Sequence, residues 1–276
     1  MAITSEYPFN HHPCYSDSRS TLWHRIHLPV APVCNVKCGF CSHSIGSSCH
    51  TSKPGLSGQI MTPESAVTRA YAEIEKNPLL RIVAISGPGE PLANPETFET
   101  LEMIRREFKN IAICISTNGT LLEDNVDWLR KTEVDTITVS MSTASIFTAS
   151  KIYEWARVGD DIFRNEEMGS RIVDSQLRGI SKASKAGIHV KVNSILIPEI
   201  NMQDMLPLAY EIRRAGAALQ NIVPLVPNDR LFSYRAPTIK ELSDIRKEAS
   251  TVMKQFSHCK QCRSDVVGIP GCDRIL

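Results

Sequence analysis

The sequence predicts an α/β fold of six strand–helix units, on three observations. Short Val- and Ile-rich runs recur along the chain, segments with helical periodicity separate them, and no apolar stretch approaches the roughly 20 residues needed to cross a bilayer. The runs are Arg25–Pro32, Arg81–Gly87, Asn110–Thr117, Thr136–Ser142, Ile188–Ile197 and Ala218–Val226. Between the first two, Thr62 caps and Pro63 opens a helix whose Val67, Ala70, Tyr71 and Ile74 share one face. Phe98, Leu101, Ile104 and Phe108 repeat that spacing. Val173, Leu177, Ile180 and Ser184 form a third stripe, ended by Gly187 as C-cap. Leu242, Ile245, Ala249, Val252 and Phe256 predict one long amphipathic helix near the end. These stripes are core-packing surfaces. The alternation implies parallel βαβ units with right-handed crossovers, in a partial barrel or an open sheet, with chemistry at the C-terminal ends of the strands.

At 276 residues and a formal net charge of +1, the chain is expected to be one domain with no nucleic-acid or membrane partner. The N-terminal residues MAITSEYPFNHHPC lack the charged-then-apolar pattern of a secretory signal, so a cytoplasmic location is expected. The nine cysteines are odd in number and clustered, which in a reducing compartment points to metal or redox chemistry rather than to disulfides.

The sharpest cluster is APVCNVKCGFCSH, which places Cys34, Cys38 and Cys41 in a C-x3-C-x2-C loop directly after the first strand. Three soft thiolates on one loop suit three corners of an iron–sulfur cubane and leave the fourth iron open. A zinc site would need a fourth ligand to close its tetrahedron, and His43 is the available one. The loop, its place after the first strand and the six βα units together resemble the radical S-adenosylmethionine (SAM) superfamily. That resemblance implies a partial (β/α)6 barrel, a 4Fe–4S cluster on Cys34, Cys38 and Cys41, and SAM bound at the open iron, which is cleaved by one-electron reduction to methionine and a 5′-deoxyadenosyl radical. It further implies that Phe40 packs near the adenine. Ser86-Gly87-Pro88-Gly89-Glu90-Pro91 resembles the superfamily's GGEP turn, making Gly87, Gly89 and Glu90 expected contacts of the SAM amino group, with Pro88 as a departure. Ser116-Thr117-Asn118-Gly119 resembles its STNG turn, so Thr117 and Asn118 are expected at SAM. Ser140, Ser142 and Asn193 are expected there as well.

Six further cysteines exceed what SAM cleavage needs. Cys259 and Cys262 form a C-x2-C pair after the last helix, Cys14 precedes the first strand, Cys49 follows the triplet, and Cys114 shares a strand phase with Ser116. Together with His27, or with His24 or one of the other histidines near cysteines (His11, His12, His43, His50 and His258) in its place, these could meet over one barrel mouth and hold two additional cubanes. The pattern resembles the NifB family, in the segments His12-Pro13-Cys14-Tyr15-Ser16, Arg25-Ile26-His27, Gly87-Pro88-Gly89-x-Pro91-Leu92-Ala93-Asn94-Pro95, Lys191-Val192-Asn193-Ser194 and Cys259-x-Gln261-Cys262-Arg263-x-Asp265.

That family resemblance implies nitrogenase cofactor assembly. Two 4Fe–4S precursor clusters would be fused into an 8Fe–9S–C core whose carbide comes from a SAM methyl group, with cluster-donor and cofactor-carrier or scaffold proteins as partners. One precursor is expected on Cys49, Cys114 and His27, the other on Cys14, Cys259 and Cys262, and Cys272 is expected not to be a ligand. The domain is expected to have a core over about 25–230, with extensions 1–24 and 231–276 carrying the extra ligands and no C-terminal carrier domain. The competing expectations are a molybdopterin-pathway GTP cyclase, also cysteine-rich at its tail, and a non-catalytic zinc- or cluster-bearing scaffold. Glu64, Glu90 and Asp265 are candidates for acid–base work.

Overall fold

The structure, a computed structural model, describes residues 7–42 and 55–276. Along the chain run β1 (His24–His27), β2 (Val36–Cys38), α1 (Pro63–Lys76), β3 (Leu80–Ile85), α2 (Pro95–Glu107), β4 (Ala112–Thr117), α3 (Leu122–Lys131), β5 (Thr136–Ser140) and α4 (Ile146–Ile152). Then come β6 (Tyr153–Val158), β7 (Asp161–Phe163), α5 (Asn165–Lys185), β8 (His189–Leu196), α6 (Pro198–Asn201), α7 (Met205–Arg214), β9 (Leu219–Pro224), α8 (Ile239–Ser250), β10 (Val266–Gly268) and β11 (Arg274–Ile275). The six predicted strands are β1, β3, β4, β5, β8 and β9. They lie in that order, all parallel, and β10 and β11 add antiparallel strands beyond β1.

The two faces of this sheet follow from the two-residue period of a strand. Val83, Ile113, Ile115, Ile137, Val139, Val190 and Val192 are buried under the helices in one continuous core. Residues of the opposite phase on all six strands line a single cavity, from Arg25 and His27 through Cys114 and Ser140 to Lys191 and Asn193. A flat sheet could not turn six strands toward one space, so the sheet is curled into a partial barrel. Among the described residues no ladder joins β9 to β1, and the barrel stays open on that side.

The chain before β1 closes the barrel floor. Tyr15 is fully buried with Phe256 and Leu219, and its hydroxyl donates to the carbonyls of Ile137 and His189 at 3.0 and 2.9 Å. Tyr7 and Trp23 stack at 5.2 Å against Ile82, Ala84 and Cys114.

Thr62 caps α1, its hydroxyl accepting from the Ser65 amide, and Pro63 is its first residue, as predicted. The predicted terminal helix is shorter than its stripe. It ends at Ser250, and the chain then turns back toward β9. The Phe256 amide donates to the Gln220 carbonyl at 2.7 Å, and this backbone pairing, rather than a further helical turn, buries the Phe256 ring against Tyr15 and Leu219.

A second, three-stranded sheet, β2-β6-β7, was not legible in the sequence. It fixes the start of the cysteine loop, with Cys38 paired to Tyr153 across the ladder.

Candidate active site

The loop carrying Cys34, Cys38 and Cys41 is gripped from several sides. The Gly39 amide donates to the Ile152 carbonyl at 2.8 Å, and the Gly39 carbonyl accepts from the Leu231 amide at 2.9 Å. Lys37 forms an ion pair with Asp229 and donates to the Cys41 carbonyl at 2.5 Å. The turn after β3 packs on the other flank, where the Gly89 amide donates to the Ala31 carbonyl and the Glu90 amide to that of Val33, at 2.6 and 2.8 Å.

Gly89 is required there by space. A Cβ at this position would lie 2.3 Å from the Val33 carbonyl oxygen, and backbone cannot move aside as a flexible side chain can. Gly89→Ala is expected to destabilise the chain by about 1–3 kcal/mol and to push the cysteine loop off the turn. A thermal melt and a SAM-binding titration measure the two effects, and wild-type values in both would contradict the close approach.

Glu90 is buried, and both carboxylate oxygens are used inside the protein. One accepts from the Leu92 amide at 3.0 Å and the Thr117 hydroxyl at 2.5 Å, the other from the Asn118 amide at 2.5 Å. Burial still prevails over these donors and raises its pKa to about 7. Glu90 thereby ties the turn after β3 to the turn after β4. Asn118 completes the cradle, donating to Asn35 at 2.9 Å and reaching the Cys34 sulfur at 3.9 Å.

The expected cofactor contacts separate into three groups. Phe40, Ser140 and Asn193 line the cavity. Ser142 does not: it is buried, and its hydroxyl accepts from the Ile195 amide at 3.1 Å, which fixes β8 instead. Gly89 and Asn118 pack on the cysteine loop, Thr117 donates to Glu90 behind it, and Gly87 takes a positive φ of 133° in the turn after β3.

Burial pushes the Cys34 thiol up to about 12 and raises Cys38 well above the ordinary range, with Cys41 adding to both shifts. The three therefore lie in one electrostatic neighbourhood, and a metal would displace their protons. Among the described residues, no three His, Cys, Asp or Glu side chains converge tightly enough for a single ion. Three thiols on a tethered loop, next to a frame of backbone amides, fit a larger body such as a cubane.

The cavity beyond Phe40 and Cys41 has a volume of about 330 Å³. Cys14, His27, Cys114, Cys259 and Cys262, which come from both ends of the chain and from two strands, all line it. Cys49 lies outside the described residues, as do His43 and His50. Cys272 is exposed, whereas the Cys262 thiol is raised to about 11 by burial against the opposing pull of Arg25.

Hydrogen bonds distinguish the histidines. His27 Nδ1 lies 3.0 Å from the Arg263 carbonyl, which can only accept, so Nδ1 carries the proton and Nε2 keeps a free lone pair. The Ser86 hydroxyl, also 3.0 Å from Nδ1, accepts from the same N–H. Burial first, and then the nearby Arg25 and Lys191 charges, lower the His27 pKa to about 3, and the ring is neutral. His12 has the opposite tautomer. Its Nδ1 accepts from the Cys14 amide at 3.0 Å, and burial keeps the ring neutral, so Nε2 holds the proton. His24 pairs with Asn77 at 2.8 Å and is not part of the cavity lining.

Arg25 and Lys191 line the cavity without having been expected as site residues, and His12, one of the histidines near a cysteine, lines it as well. The signal available in the sequence for two of them was strand phase: Arg25 is two residues from His27, and Lys191 two from Asn193.

The radical SAM superfamily model matches residues 28–209. FeMo cofactor biosynthesis protein NifB of Methanocaldococcus infernus is 38% identical over 258 residues, covering 94% of this chain and 85% of that protein. NifB of Klebsiella pneumoniae is 38% identical over 270 residues, covering 95% of this chain and 58% of that protein. In fold, the chain is similar to a radical SAM methyltransferase from Sphaerobacter thermophilus, with a TM-score of 0.56 at 17% identity over 84% of this chain and 64% of that one. It is also similar to Streptococcus suis SuiB bound to S-adenosylmethionine, with a TM-score of 0.57 at 14% identity over 84% of this chain and 47% of that one. The chain is a radical SAM enzyme, and by its matched length and identity it belongs to the NifB family.

Proposed function

We propose that this chain acts in FeMo cofactor biosynthesis, fusing two 4Fe–4S substrate clusters into an 8Fe–9S–C core whose carbide derives from a SAM methyl group. The observation that carries the proposal is the single cavity that gathers Cys14, His27, Cys114, Cys259 and Cys262 beside Cys41. SAM cleavage alone needs none of those five.

Cys34, Cys38 and Cys41 would hold the resident 4Fe–4S cluster, which supplies the electron for SAM cleavage. Phe40, Ser140 and Asn193 would bound the SAM pocket, while Glu90 keeps the two framing turns in register. Cys14, Cys259 and Cys262 would hold one substrate cluster, since the C-x2-C pair from the tail and Cys14 from the N-terminal segment line the same cavity. Cys114 and His27 would serve the second together with Cys49, His27 through the lone pair on Nε2. A neutral imidazole in place of a thiolate holds a cluster less firmly, which suits a substrate that must leave. Cluster-donor and cofactor-carrier proteins are the proposed partners.

The GTP cyclase alternative needs three clustered tail cysteines. Here the tail brings Cys259 and Cys262 to the cavity and leaves Cys272 exposed, which favours the first proposal. No helix among the described residues is long and apolar enough to cross a membrane.

After anaerobic reconstitution, iron is expected to approach three cubanes per chain, about twelve atoms, and the EPR signal of one of them is expected to change on SAM addition. One cubane per chain would overturn the proposal.

A further inference from the structure

Lys191 lies on β8 in phase with Asn193, and its side chain lines the cavity together with Cys14 and Cys114. The residue is 2% exposed. Among the described residues its ammonium has no hydrogen-bond or ion-pair partner. Its Nζ faces the rings of Tyr15 and Phe256 at 5.7 and 5.6 Å, and its charge acts on Cys114, His12 and His27. No Asp or Glu is among the described residues that line the cavity. An ammonium buried without a counter-charge is unfavourable, so a fold that keeps one is built for an anion that arrives later.

His12 points to the same kind of occupant. It is 2% exposed and lines the cavity, its Nε2 carries a proton, and that atom has no partner among the described residues. An N–H donor and a cation beside Cys14 and Cys114 match the sulfide face of an iron–sulfur cluster, which is anionic and accepts hydrogen bonds at sulfur.

We propose that Lys191 is the counter-charge and N–H donor for the anionic iron–sulfide substrate held in this cavity. The proposal rests on the cluster-fusion function and adds a residue that binds the substrate without ligating iron. Lys191 offsets the negative charge that accumulates as two thiolate-bound clusters approach one another, and it holds the substrate by its sulfide face rather than by a metal bond that must break on release.

The test uses the full chain with Lys191→Met, which keeps length and loses charge, and Lys191→Arg, which keeps charge. Without clusters, Lys191→Met is expected to melt above wild type, because the unpaired buried cation is gone. After anaerobic reconstitution, it is expected to lose substrate-cluster iron to a chelator about tenfold faster than wild type, and an EPR redox titration is expected to show a more negative midpoint potential for a substrate cluster. Lys191→Arg is expected to restore both properties toward wild type. A lower melting temperature together with wild-type iron retention and potential would make Lys191 a structural residue and overturn the proposal. If wild type itself holds a single cubane, the cluster-fusion function fails and this proposal falls with it. If wild type holds three and the Met variant matches it, this proposal alone fails.

Discussion

Replacing Cys34, Cys38 and Cys41 with alanine is expected to abolish 5′-deoxyadenosine formation under dithionite while about two-thirds of the iron remains, about eight of twelve atoms per chain. The separation follows from the positions of the ligands. The triplet sits on one loop anchored by Gly39, Lys37 and the turn at Gly89, whereas Cys14, Cys114, Cys259 and Cys262 come from other parts of the chain. Removing the loop thiols leaves those residues, and the strands that carry them, in place. Anaerobic iron and sulfide analysis alongside chromatography of the nucleoside checks both halves. Loss of all iron would show that the loop cluster and the cavity are not independent.

Arg25→Met is expected to destabilise the chain by about 3–5 kcal/mol, a fall in melting temperature of roughly 10 °C for a domain of this size. Arg25 is 1% exposed and joins three parts of the C-terminal segment to β1. It donates to the Gly268 carbonyl at 2.7 Å, the Asp273 carboxylate at 2.6 Å and the Cys262 sulfur at 3.0 Å. Without it the carbonyl and carboxylate lose their partner in a site largely closed to water, and the segment that carries Cys259 and Cys262 is released from the barrel. Lysine is not expected to substitute, because one ammonium cannot reproduce the planar fork that reaches all three acceptors. Limited proteolysis should cut the variant after α8, and a cleavage pattern like wild type would show that the tail is held by other contacts. The sign is opposite to that expected for Lys191→Met. Both are buried cations, but one has protein partners and the other has none among the described residues.

Much of the fold was legible because strands and helices announce themselves locally. The runs that became β1, β3, β4, β5, β8 and β9 are Val- and Ile-rich, and the Thr62-Pro63 pair marks the start of α1. The β2-β6-β7 sheet was missed because its strands are short and β2 pairs with β6 across more than a hundred residues, so no local pattern reports it. The terminal stripe overran α8 for a related reason: Phe256 continues the apolar spacing, but it is buried by a turn that pairs with Gln220.

At the site, the sequence by itself determined the ligand inventory. The C-x3-C-x2-C loop, the two glycine turns and the surplus cysteines are chemical facts that do not depend on folding. Only the tertiary structure decided which of them share a space, because Cys14, Cys114 and Cys262 are far apart along the chain and meet only when the sheet curls. It also decided the state of each group. Glu90 is occupied by the turn after β4, Ser142 by β8, and the histidine tautomers by a carbonyl in one case and an amide in the other. A hydrogen bond's partner is set by three-dimensional proximity, and spacing along a chain carries that information only within a turn or two of backbone.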